Sequence, residues 1–297
     1  MKKQKIDSPV WQNNAEKWWY NFWSKCQEPW RPSKKEIIFW DKTIQQILKK
    51  KDSIQVLILG ATPEFRDLLA KYKNIKVTLL DINPPVKRAM DRLCKKKNAN
   101  EKLILGNWLD VAKNFPPRSF DVVMNDEGLE NVYFTKHNLL LKNIAKVLKK
   151  DGYFLMGRLC MEDAFKHPLK FTTLFKKYQK NPEFFHNFHN RINYLYRLAC
   201  SSQSRAYDHK KQGVKVGILA DEIIEKNKKL YNTKYLMWTP EVDWQGPALH
   251  SYIEVDLESL TKMKSMIEKY FKLEKKYQDL FHPVMKVKYN FVLRPKI

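Results

Sequence analysis

Five small groups of residues hold the side chains with chemical potential. Gly60-Ala61-Thr62-Pro63-Glu64 is a turn with one glycine and one carboxylate. Asp81 follows about twenty residues later, a spacing that suits an acid gripping ribose hydroxyls. Asn107-Trp108 offers a side-chain carbonyl beside an indole, which suits an amino-bearing aromatic ring. Asn125-Asp126-Glu127-Gly128 sets two acids side by side, suited to a cation or to removing a proton. His186 and His189 lie three apart, so one helix face could carry both; packing, a base or a metal are all open. No third ligand is evident, and no metal site is expected.

These groups are only useful if the backbone presents them together. Ile54 to Leu59 is a short apolar run that suits a strand buried on both faces. Pro63 suits a first helical turn, and Phe65, Leu68, Leu69 and Tyr72 recur at helical spacing. A second run, Ile75 to Leu80, ends at Asp81. Strand, turn, helix, strand is a parallel crossover, and ligands then bind beyond the carboxyl ends of the strands. Further strands are expected at 102–105, 119–124 and 153–156, with a helix at 139–148. A helix at 257–270 precedes two closing strands, 273–281 and 287–293, joined by a turn around His282-Pro283. Ser33 and Glu36 have the spacing of a capping box for the helix leading into the first strand.

The turn discriminates between ligands. A dinucleotide site wants G-x-G-x-x-G, so that bare backbone meets a pyrophosphate. Here two glycines are missing, and Glu64 would repel phosphate while tolerating an ammonium or sulfonium. S-adenosylmethionine carries both cations and no phosphate, so it is preferred to NAD. Trp108 suits either a wall for its adenine or ordinary core.

The totals set further bounds. The chain has 297 residues and a formal net charge of +24. Of 56 basic residues 10 are Arg, leaving 46 Lys, in scattered clusters such as Lys49–Lys51 and Lys95–Lys97. Such lysines suit a solvated surface, and a nucleic-acid partner stays possible. Four scattered cysteines, no run long enough to span a membrane and no signal-like N-terminus lead to an expected cytoplasmic location without membrane attachment. Trp18, Trp19, Phe22 and Trp23 form an aromatic terminal helix, either a lid or packing on the sheet edge.

Taken together, VLILGATPEFRDL, GNWLD, FDVVMNDEGLENV and LKKDGYFLM resemble a class I S-adenosylmethionine-dependent methyltransferase. More narrowly they resemble a bacterial group with LGxTPE, GDW and fDvvxGD motifs and an arginine-proline entry helix. The resemblance implies an α/β fold: a Rossmann-like seven-stranded methyltransferase sheet with helices on both faces, an N-terminal helical extension and a helical insertion after the fifth strand. Expected segments are residues 1–52 (extension or lid), 53–160 (cofactor core), 161–250 (substrate-covering insertion) and 251–297 (closing helix and strands). It implies that Gly60, Ala61, Thr62 and Glu64 form the cofactor loop. Asp81 and Ile82 would meet ribose and adenine, Asn107 and Trp108 the adenine, and Asp126 and Glu127 the methionine end. Asn107 stands where the group has Asp, and Asn125 where it has Gly. Asp126 and His189 are the candidate catalytic residues; Trp30 and Arg31 are candidates for lid and carboxylate binding. Three readings are open: methylation of a small molecule, methylation of tRNA or rRNA, and a non-catalytic binding module.

Overall fold

The computed structural model describes residues 15–26, 28, 31–132, 134–159, 167–183, 188–208, 213–226, 253–254, 260–281 and 288–296. Ala15–Lys25 forms α1 and Lys34–Leu48 forms α2. The capping box is present: Ser33 Oγ accepts from the Glu36 amide at 3.2 Å, and Glu36 Oε2 accepts from the Ser33 amide at 2.7 Å. Both amides lack partners within the helix, so the pair fixes where α2 begins. Then come β1 (Ile54–Leu59), α3 (Pro63–Leu69), β2 (Ile75–Asp81), α4 (Pro84–Asp91) and β3 (Glu101–Leu105). Next are α5 (Val111–Asn114), β4 (Phe120–Asp126), α6 (His137–Val147) and β5 (Leu148–Leu159). The following segment gives α7 (Phe171–Lys180), α8 (Phe188–Ala199), β6 (Tyr207–Asp208), β7 (Gly213–Lys215), α9 (Val216–Lys226) and β8 (Ile253–Glu254). The last described elements are α10 (Leu260–Glu268), β9 (Phe271–Tyr277) and β10 (Lys288–Pro295).

Seven strands form one sheet in the order β3-β2-β1-β4-β5-β10-β9. The first five are parallel, and β10 runs antiparallel to both β5 and β9. The order reverses between β1 and β4, so the loops after these two strands flank a crevice. Successive β1 residues face opposite sides. Ile54, Val56 and Ile58 pack with Trp40, Ile44, Phe65 and Met90 from α2, α3 and α4. Leu57 and Leu59 pack with Leu140, Ile144, Met263 and Ile267 from α6 and α10. Helices thus cover both faces, which is why the strands read as continuous apolar runs.

The chain divides into two compact units, residues 19–160 with 259–297, and residues 1–18 with 161–258. The first holds the seven-stranded sheet. The second has its own core, including Leu174, Leu195, Leu198 and Ile223. Its small sheet, β6-β7-β8, adds short strands β6 and β7 within the insertion expected at 161–250, while β8 lies just beyond it. Strands of two or three residues are too short to show a period of two. Within this unit buried Glu222 accepts from Ser204 Oγ and the Arg205 amide, both at 2.6 Å.

Strand β5 is also longer than its apolar run. Leu148 pairs with Phe120, the ladder shifts register before Val122, and Lys149 and Lys150 lie inside the strand. The reason is Asp121, which is buried at the opposite end of β4 from the crevice. Its carboxylate accepts from Lys51 Nζ at 2.6 Å, the Gln55 amide at 2.8 Å and Lys149 Nζ at 2.8 Å. Burial opposes its ionisation, but these three donors win and hold its pKa below the ordinary aspartate value. Its stabilising effect is therefore complete above about pH 4 and is lost as pH falls further. Asp121→Asn should lower unfolding free energy at pH 7 by about 1–3 kcal/mol in urea titrations, a loss that shrinks towards pH 3.

Candidate active site

Gly60 ends β1 with φ +104°, a conformation that L side chains rarely adopt. Its amide donates to the Leu80 carbonyl at 2.9 Å, and Trp108 Nε1 donates to the same oxygen at 2.7 Å. A side chain at 60 would touch the indole, at 3.4 Å from Cβ. Trp108 therefore lies over the turn and against the core, as one wall of the crevice. Asn107 caps the short helix at 108–110, its Oδ1 accepting from the Leu109 amide at 2.9 Å. That local role accounts for an asparagine at this position.

Asp81 ends β2 and is buried. Burial pushes its pKa up to about 6, although the amides of Asn83 and Ile82 donate to it. Beside it, large apolar side chains face water: Ile82 is 46% exposed and Leu105, opposite Asp81 in the ladder, is 58% exposed. Such a surface favours a flat apolar ring laid over it.

Glu64 stands in the first turn of α3. Its Oε1 accepts from Arg31 Nε at 2.8 Å and from Arg31 Nη2, while Arg31 Nη1 donates to the Trp23 carbonyl at 3.3 Å. The Glu64 side chain is only 14% exposed, so it does not turn out into water. Its cation in this structure is Arg31, which is therefore engaged by a carboxylate of the chain itself. Glu64 Oε2 is buried without a hydrogen-bond partner among the described residues.

Across the crevice, the tip of β4 is tied down on several sides. Asn125 Nδ2 donates to the Leu59 carbonyl at 3.3 Å, and Asn125 Oδ1 accepts from the Gly128 amide at 3.1 Å. Glu127 has φ +50°, held by its amide donating to the Gly157 carbonyl at 3.0 Å. A Cβ at Gly157 would overlap the Asp126 carboxylate, so a larger residue there would displace it. Lys288, the first residue of β10, is fully buried and reaches Glu127 at 2.9 Å and Asp126 at 3.0 Å. Burial pulls its pKa down, but Asp126, Glu127 and Glu36 outweigh that and hold it well above the ordinary lysine value. Buried His137, at the start of α6, sets Nε2 at 2.9 Å from the Leu129 carbonyl and 2.8 Å from that of Val132, pinning the loop after β4.

Loop residues 60–64, Asp81, Ile82, Asn107, Trp108, Asp126 and Glu127 all sit at the carboxyl ends of β1 to β4 in one unit. His189 falls on α8 of the other unit, and its side chain lies outside the described residues. Trp30, His186 and the turn at His282-Pro283 lie outside them too. Sequence reasoning named Asn125 with the β4 tip but missed Lys288 and His137. A lysine inside the apolar pattern VKYNFVL was the available signal for the first.

The geometry defines a class I S-adenosylmethionine-dependent methyltransferase: five parallel strands, an antiparallel strand inserted before the last, and acids at the tips of β2 and β4. A family model described as a methyltransferase domain matches residues 51–232, and the chain belongs to that family. No curated protein matches the chain. Among solved structures it is similar to a Rhodobacter sphaeroides protein described as a zinc-dependent alcohol dehydrogenase: 14% identity, 96% of this chain, 100% of that one, TM-score 0.58. It is also similar to the CurJ carbon methyltransferase (8% identity, 90% of this chain, 57% of that one, TM-score 0.50). A third is the Bradyrhizobium japonicum N-methyltransferase NodS bound to S-adenosylhomocysteine, at 10% identity, 96% and 100% coverage and TM-score 0.48. At these identities the likeness concerns the fold alone.

S-adenosylmethionine is the cofactor, and the chain's own features suit it. Asp81 offers a buried acceptor for ribose hydroxyls, Ile82 and Leu105 an apolar face for adenine, and Glu64 Oε2 an orphaned acceptor beside the loop. Ionised Asp81 costs the fold about 3 kcal/mol, since its pKa rises from 3.8 to about 6. Stability from this group is therefore full below pH 4 and lost as pH rises through 6. Asp81→Asn should raise unfolding free energy at pH 7, flatten its change between pH 4 and 6, and weaken cofactor binding about tenfold or more by calorimetry.

Proposed function

We propose that this chain transfers a methyl group from S-adenosylmethionine to a small molecule. The observation that carries the cofactor half is buried Asp81, flanked by exposed Ile82 and Leu105, at the edge of the crevice where strand order reverses. When bound, the cofactor supplies an electrophilic methyl on a sulfonium, whose departure as a thioether needs no acid. The residues then have three tasks. Asp81 orients the ribose, and Ile82, Asn107 and Trp108 border the adenine. Glu64, Asp126 and Glu127 face the methionine end with negative charge. Alignment of this kind can supply up to roughly 7–11 kcal/mol. Asp126, with Lys288 at 3.0 Å, fits this electrostatic task better than proton removal. His189 stays the candidate base for an acceptor that carries a proton.

The acceptor half rests on the aromatic sequence of the insertion, which suits walls around a metabolite. Several lysines are also committed internally: Lys51 to Asp121 and Asp151, Lys149 to Asp121, Lys87 to Asp91, and Lys288 to its acids. The charge of +24 favours a second reading, an RNA acceptor. Calorimetry should show binding of S-adenosylmethionine and S-adenosylhomocysteine; no heat with either would reject catalysis. Any affinity for bulk RNA should be weak, and tight binding with a steep fall as salt rises would favour the RNA reading instead.

A further inference from the structure

Lys288 has no packing reason to be a lysine. It lies in β10 between β5 and β9, fully buried, where methionine would fill the same length. A buried ion pair is often no more stabilising than apolar residues of the same volume, so stability alone does not explain it either. What distinguishes Lys288 is the set of groups it gathers. Glu127 and Asp126 reach its ammonium from the tip of β4, and Glu36 Oε1 reaches it from the first turn of α2 at 3.4 Å. Glu36 is held in turn by Ser33 and by Asn290 Nδ2 at 2.8 Å. Adjacent buried carboxylates repel, and without a cation one of them takes up a proton. Glu127 also adopts a backbone conformation uncommon for a side-chain-bearing residue, which persists only where its surroundings impose it.

We infer that Lys288 is a positioning residue for the methionine end of the cofactor, keeping Asp126 and Glu127 ionised and fixed in place before the ligand arrives. Preset charges need no reorganisation when a ligand cation arrives, which is where their value lies. This rests on the reading that the β4 tip meets the methionine end.

The test uses two ligands that differ only in that end: S-adenosylhomocysteine, and 5′-methylthioadenosine, which lacks the amino-acid portion. In calorimetry with the full chain, Lys288→Met should weaken S-adenosylhomocysteine about tenfold or more and leave methylthioadenosine within about twofold of wild type. Should that variant not fold, Lys288→Met with Glu36→Gln removes one repelling charge and should give the same split. Equal weakening of both ligands, or wild-type affinity in a folded variant, overturns the positioning role. Asp126→Asn and Glu127→Gln separate the two ideas. If both bind S-adenosylhomocysteine as wild type does, the reading of the β4 tip fails, and the inference with it. If either weakens it while Lys288→Met does not, that reading stands and the lysine's role falls.

Discussion

The register between β1 and β4 constrains everything that acts in this molecule. Val56, Leu57 and Ile58 lie opposite Val122, Val123 and Met124. That pairing brings the turn at Gly60 and the acids at Asp126 and Glu127 to the same end of adjacent strands. Asn125 then bridges the gap by donating to Leu59. A slip of one residue would send every apolar side chain of a strand to the other face. Both faces are covered by helices, so the core itself enforces the register that assembles the crevice.

Charge is arranged in the same cooperative way. Glu64 meets Arg31, Asp121 meets two lysines and an amide, and Asp126 and Glu127 meet Lys288. Each acid is at least partly withdrawn from water, where an unpaired charge would be unfavourable. Asp81 differs, since the amides of Asn83 and Ile82 donate to it and burial raises its pKa.

Much of the fold was legible because the signals were local. The runs at 54–59 and 75–81, the capping box at Ser33–Glu36 and the glycine before Ala61 each depend on neighbours within a few residues. Strand ends were less legible. The strand expected at 153–156 begins earlier, with Lys149 and Lys150 inside β5, since Asp121 and pairing with β4 outweigh local preference. Strands β6 and β7 of the small sheet are too short to carry a periodic signal.

By itself the sequence determined the order of elements, the acids at strand tips and the absence of a phosphate-binding glycine pattern, since these follow from residue type and short-range spacing. Which charges face one another was decided only by the tertiary structure. Arg31 is 33 residues from Glu64, and Lys288 is 162 residues from Asp126. No local preference encodes such pairs. They exist because β10 inserts beside β5 and because the entry segment before α2 reaches the first turn of α3, both consequences of burying apolar surface on two sides of one sheet.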